Sequence, residues 1–91
     1  MTVAHGTFLV KNKLGLHARA AAKLTQVASK YPCEVTVAHD GQSVNAKSVM
    51  GLLLLCGARG SELSVEATGD RAEEAVAAIG ELIDSLFGEG E

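Results

Sequence analysis

One short stretch of the chain carries side chains suited to group transfer: Gly15-Leu16-His17-Ala18-Arg19. A neutral imidazole is a nucleophile able to hold a covalent intermediate. Two residues further on, Arg19 brings a guanidinium whose planar fork suits phosphate oxygens. Helical periodicity begins at His17, so the stretch lies where a loop becomes a helix. The first amides of a helix lack internal acceptors and point outward as donors. With the helix dipole they make a place for an anion. The same positive end favours an uncharged ring, whose lone pair can attack phosphorus. Gly15 allows a sharp turn that leaves the imidazole accessible. Gly15, Leu16 and Ala18 are then the candidate anion-holding loop and helix start around His17. The chemistry expected is phosphoryl transfer. Taken alone, a histidine at a helix start beside a solvated arginine reads rather as an ordinary surface feature.

The other titratable groups are less organised. His5 and His39 read as strand-end surface residues, and with His17 they show no metal-ligand spacing. No second acid or base accompanies His17 in the sequence, which gives hydrolysis little support. Lys11, Lys13 and Lys23 read as solvated charges, one or two of which could steer an acidic partner.

These residues need a scaffold, and its elements can be read along the chain. Residues 4–10, ending Thr7-Phe8-Leu9-Val10, predict a strand, and Lys11 to Gly15 a loop. Ala20, Leu24, Val27, Ala28 and Tyr31 then share one helical face. Lys30 would place positive charge in that helix's last turn, and Pro32 would stop it. Cys33, Val35 and Val37 alternate with polar or small residues as in a half-buried strand. Asp40-Gly41 predicts a two-residue hairpin turn, with residues 42–46 returning and Val44 and Ala46 inward. Ser48 can cap a short helix whose apolar side holds Val49, Leu52, Leu53 and Cys56. Gly57 and Gly60 bracket a loop. Leu63, Val65 and Ala67 mark another half-buried strand. Asp70 and Glu73 are spaced as a capping box. Behind them Ala72, Ala75, Val76, Ile79, Leu82, Ile83, Leu86 and Phe87 form the clearest amphipathic helix. Gly88-Glu89-Gly90-Glu91 reads as a frayed acidic tail.

The order β-α-β-β-α-β-α predicts an α+β fold with helices on the one buried face of a sheet. The 91 residues suit a single domain, with an ordered core over about 3–88. Aromatics are scarce, so Ala, Val, Leu and Ile must build the core. A net charge of −3 argues against nucleic-acid binding. The longest apolar run, Val49 to Cys56, is too short to cross a bilayer. No secretory signal is visible at the start. A cytoplasmic monomer with reduced thiols is the expectation, with Cys33 and Cys56 as small core residues.

The wording of two segments adds a resemblance. Asn12-Lys13-Leu14-Gly15-Leu16-His17-Ala18-Arg19-Ala20-Ala21-Ala22 resembles the active-site signature of HPr, the histidine-containing phosphocarrier of the bacterial phosphotransferase system. Ala46-Lys47-Ser48-Val49-Met50-Gly51-Leu52 resembles that family's regulatory serine signature. The two stand at the family's separation, and Gly60 and Gly69 fall where the family has glycines. The resemblance spans essentially the whole chain.

It implies an open-faced β-sandwich, a four-stranded antiparallel sheet covered on one face by three helices. It also implies a carrier that is a substrate of other enzymes and not a catalyst. Enzyme I would pass a phosphoryl group from phosphoenolpyruvate to Nδ1 of His17. Enzyme IIA domains would receive it, usually for sugar uptake, and Arg19 would assist at the phosphoryl group. Neither cofactor nor metal is called for. Ser48 matches the serine phosphorylated by an HPr kinase/phosphorylase in many bacteria. A phosphate there would set negative charge beside the docking surface and repel an acidic partner.

That docking surface is expected at Val49, Met50 and Leu53. A short helix cannot bury every apolar side chain, and exposed ones beside a reactive group suit protein contact. Met50 adapts its shape to several partners. Val49 and Leu53 are alternatively core residues, and Leu52 is assigned to the core outright. One departure from the family pattern is Ala20, where proline is usual. A slightly looser active loop without loss of transfer is expected.

Two other functions fit parts of the sequence. A regulatory module of the same fold would act through Ser48 or through protein contacts, including the nitrogen-related branch of the phosphotransferase system. A redox protein would use Cys33 and Cys56, although their spacing gives no reason to expect it.

Overall fold

Changes of hydrophobic period along the chain mark the elements of the computed structural model, which describes residues 2–88. They are β1 (Val3–Leu9), α1 (Ala18–Ala28), β2 (Cys33–His39), β3 (Gln42–Asn45), α2 (Val49–Leu54), β4 (Glu62–Gly69) and α3 (Ala72–Asp84). A 3-10 turn over Leu86–Gly88 follows. The strands form one antiparallel sheet in the order β1-β4-β2-β3, so the predicted α+β architecture holds.

Strand alternation fixes the two faces of the sheet. Gly6, Val65, Val37 and Val44 are register partners across all four strands and point toward the helices. His5, Glu66, Thr36 and Asn45 form the next row and point the other way. The helical side is closed by Leu24, Leu52, Ile79, Ile83 and Phe87, all fully buried. Each such side chain contributes roughly 1.5–3 kcal/mol through burial. Ala20, Ala21 and Ala28 are buried on α1, and their small size lets that helix sit close to its neighbours.

The hairpin forms as expected, with Asp40 and Gly41 both at positive φ (51° and 83°) between paired His39 and Gln42. Such angles match the twist of the flanking strands. The first strand is Val3–Leu9 and not 4–10. β3 ends at Asn45, but Ala46 stays buried and its N–H donates to the Val35 carbonyl at 2.9 Å.

Several helix boundaries differ from expectation. α1 ends at Ala28, so Lys30 and Tyr31 lie in a turn beyond it. Their amides bond three residues back, to Val27 and Ala28 at 3.1 and 3.2 Å. Pro32 disfavours helical backbone at Tyr31, so the chain leaves the helix early. The Asp70–Glu73 capping box does not form. Arg71, at φ 63°, is the N-cap of α3 and makes no side-chain cap bond. Its guanidinium instead binds Glu74, with Nη2 at 2.8 Å, and lies 4.9 Å from the centre of the Tyr31 ring.

The last apolar positions also depart from the helix. Leu86 and Phe87 turn left-handed (φ 59° and 55°), and only Phe87 is buried. Lys23 Nζ donates to the Phe87 carbonyl at 2.9 Å and holds this turn against α1. Cys33 is buried as expected, whereas Cys56 is exposed. α2 ends before Cys56, and Leu55 takes the inward place. Of the expected tail, Gly88 belongs to the 3-10 turn; Glu89, Gly90 and Glu91 lie outside the described residues.

Candidate functional site

Three loop residues set up the start of α1. The chain leaves β1 through Val10, whose N–H donates to the Ser61 carbonyl and whose carbonyl accepts from Gly60, both at 2.8 Å. Asn12 is buried and its Nδ2 donates to the Gly15 carbonyl at 2.7 Å. The Gly15 N–H returns a bond to the Asn12 carbonyl at 3.2 Å. Gly15 is at φ 67°, and a Cβ there would lie 2.5 Å from the Gly57 carbonyl oxygen. Glycine is required on both counts.

His17 is the N-cap of α1, with extended backbone (φ −81°, ψ 176°) and no side-chain cap bond. Its N–H donates to the Gly15 carbonyl at 2.9 Å, and its carbonyl accepts the Ala21 N–H at 2.8 Å. The ring is half-exposed while its Nε2 is buried. The side chain therefore turns one ring nitrogen inward and does not cap the helix.

The geometry narrows the anion-holding set. The Leu16 N–H donates to the Gly57 carbonyl at 2.8 Å. Gly15 and Leu16 are buried and their amides are used within the protein, so they position the loop and do not face an incoming group. Ala18, Arg19 and Ala20 precede the first helical hydrogen bond, from the Ala21 N–H to the His17 carbonyl, so their amides have no acceptor within the helix. Ala18 and Arg19 are exposed, and no acidic residue occupies the first turn. The positive end of the helix thus meets no carboxylate of its own turn. Ala20 is fully buried, so the methyl that replaces the family's usual proline is packed inside.

The lysines divide by role. Lys23 is structural, through Phe87. Lys11 lies 3.6 Å from Asp84 in an exposed ion pair, a contact of little energetic weight. Lys13 is exposed on the loop before His17.

Ser48 is the N-cap of α2, and its Oγ accepts the Gly51 N–H at 3.1 Å. α2 packs against α1, and Thr25 Oγ1 donates to the Ala46 carbonyl at 3.0 Å to brace the junction. Of the three expected docking residues, Met50 is 69% exposed. Val49 and Leu53 are half-buried and pack on the core, and Leu52 is fully buried. Leu54, 68% exposed, was not marked by the sequence, because it lies off the helical face that the spacing picks out. Leu14 is also exposed, on the loop before His17. Asn12 was likewise missed: no periodicity distinguishes a buried loop asparagine from a solvated one.

The family model for the HPr component phosphorylation site of the phosphotransferase system matches residues 4–85. The chain belongs to the HPr family. The phosphocarrier protein HPr of Neisseria meningitidis serogroup A is 49% identical over 80 residues, covering 88% of this chain and 90% of the relative. The phosphocarrier protein NPr of Escherichia coli K12 is 44% identical over 90 residues, covering 98% and 99%. The crystal structure of HPr-C-His from Thermoanaerobacter tengcongensis superposes with a TM-score of 0.91 at 45% identity, over 94% of this chain and 97% of that one.

HPr membership makes this a phosphocarrier of the phosphotransferase system. A carrier must expose its reactive atom to successive partners. That fits a half-exposed ring at a convex helix end. No helix of the described residues is long and apolar enough to cross a membrane.

Proposed function

We propose that His17 accepts a phosphoryl group on Nδ1 from phospho-Enzyme I and passes it to Enzyme IIA domains of the sugar phosphotransferase system. The carrying observation is a half-exposed imidazole at the N-cap of α1 whose Nε2 is turned inside. Burial of Nε2 favours Nδ1 as the reacting atom. The Nδ1 lone pair attacks phosphorus, and the N–P bond forms as the donor's bond to phosphorus breaks. The bonding pair returns to the donor, and the ring proton stays on Nε2. The reverse sequence delivers the group to the next acceptor. Ala18 and Arg19 amides and the Arg19 guanidinium stabilise the phosphoryl oxygens. Met50 and Leu54, with the exposed edges of Val49 and Leu53, supply the adjoining contact surface.

Ser48 is assigned a regulatory role under an ATP-dependent kinase. Phosphorylation would add about −1.5 to −2 charges at neutral pH, next to Met50. Negative charge there would repel an acidic docking partner.

A second reading places the chain in the nitrogen-related branch, and the similarity to Escherichia coli NPr over nearly the full length favours it. Separate incubation of the phosphorylated carrier with sugar-type and nitrogen-type IIA domains distinguishes the two.

The test of the carrier role is phosphorylation by Enzyme I and phosphoenolpyruvate. Wild type should give an acid-labile product and His17→Ala none. Arg19→Ala should react about tenfold or more slowly, the scale of one lost charge-assisted hydrogen bond. Phosphorylation of His17→Ala at the wild-type rate would rule out the assigned nucleophile.

A further inference from the structure

We propose that Asn12 is a positioning residue for phosphoryl transfer, orienting His17 through the Gly15 carbonyl without touching the transferred group. The proposal rests on the carrier role of His17. Asn12 is 1% exposed, and its Nδ2 donates to the Gly15 carbonyl at 2.7 Å. The same oxygen accepts the His17 N–H at 2.9 Å. Two donors thus converge on one acceptor, one from the buried asparagine and one from the reactive residue's own backbone.

Only half of this amide supports the fold. Its Oδ1 is buried and has no hydrogen-bond partner. A buried polar atom left so lowers stability, whereas an apolar side chain of similar shape carries no such cost. Leucine has the same branched four-atom skeleton as asparagine, though with bulkier ends, and would remove the orphaned oxygen. The retained amide instead does something leucine cannot: it holds the Gly15 carbonyl. That grip fixes the peptide plane before Leu16 and the approach of the backbone into the N-cap. It also keeps a carbonyl oxygen engaged inside the protein and away from the arriving dianion. A released carbonyl would present negative charge beside the phosphoryl oxygens.

Transfer is sensitive to such placement, because misplacement of a reacting group by about 1 Å can cost on the order of a hundredfold in rate. The experiment compares wild type, Asn12→Leu and Asn12→Ala as substrates of Enzyme I and phosphoenolpyruvate, with carrier concentration varied. Thermal midpoints and the nitrogen and proton resonances of the His17 ring are recorded on the same samples. Asn12→Leu should remain folded at the assay temperature, its midpoint set by the gain from removing the orphaned oxygen against the lost Gly15 bond and the bulkier side chain. Its kcat should fall about tenfold to a hundredfold, with KM within about twofold because Met50 and Leu54 are untouched. The His17 ring resonances should shift. A folded Asn12→Leu with wild-type kcat and unmoved ring resonances would overturn the proposal. So would a loss of rate that only tracks the unfolded fraction. Wild type refractory to Enzyme I would instead defeat the carrier role. Phosphorylation by phosphoramidate and the ring resonances would then still decide whether Asn12 governs His17.

Discussion

The amide of Leu16 lies 2.8 Å from the carbonyl of Gly57, and this bond fastens the loop before His17 to the loop before β4. The approach is close because Gly15 has no side chain. A Cβ on Gly15 would stand 2.5 Å from that same carbonyl oxygen and 2.9 Å from Ala58 Cα, both backbone atoms with little room to yield. Positive φ adds about 1 kcal/mol for any other residue. Gly15→Ala should therefore lower stability by roughly 2 kcal/mol or more and slow phosphorylation of His17. Denaturant midpoints at unchanged slope measure the first effect; an unaltered midpoint contradicts this account of the loop.

Ser48 is already a structural acceptor in the unmodified protein, through the Gly51 N–H. Ser48→Ala should cost about 1 kcal/mol, the usual worth of an N-cap. Ser48→Asp keeps an acceptor and should lose much less stability while weakening docking to an acidic partner. Equal stability of the alanine variant and wild type would show the cap to be idle.

Gly80 sits in the interior of α3, where alanine would ordinarily add about 1 kcal/mol of helix stability. Here a Cβ would overlap the Phe8 ring, which is packed between α3 and β1. Overpacking of this kind costs typically 1–3 kcal/mol, so Gly80→Ala should destabilise the protein. A raised thermal midpoint would show that the ring moves aside freely.

The two thiols should separate kinetically. An aromatic disulfide reagent should titrate Cys56 in the native protein and reach Cys33 only at the rate of unfolding, because only Cys56 is exposed. Simultaneous release of two equivalents under native conditions would contradict the burial of Cys33.

Much of the scaffold was legible before any coordinates, and for a local reason. Val35, Val37, Leu63, Val65 and Ala67 alternate because a sheet with one covered face imposes a period of two. Ile79 and Ile83 repeat at four because a helix with one covered face imposes that spacing. The Asp40-Gly41 turn and the Ser48 cap are likewise contained within a few neighbouring residues. The failures fall where a local signal competes with a distant contact. Asp70 and Glu73 have the letters of a capping box, yet Arg71 takes the cap position and lies 4.9 Å from the distant Tyr31 ring. Leu86 and Phe87 continue the helical spacing, yet Phe87 reaches the core through a left-handed turn held by Lys23. Cys56 looked like the end of an apolar face, and Leu55 replaced it.

The candidate nucleophile and its neighbourhood can be named from the chain alone, because a histidine, a helix start and a guanidinium two residues on are properties of adjacent residues. Folding alone decided which amides stay available. Gly57 claims the Leu16 donor and Gly15 claims the His17 donor, so the first helical amides begin at Ala18. The first of these bonds spans more than forty residues of chain, and the burial of Asn12 depends on that same closure of distant segments. No window of sequence contains such a contact, since it exists only once β1 and β4 are paired.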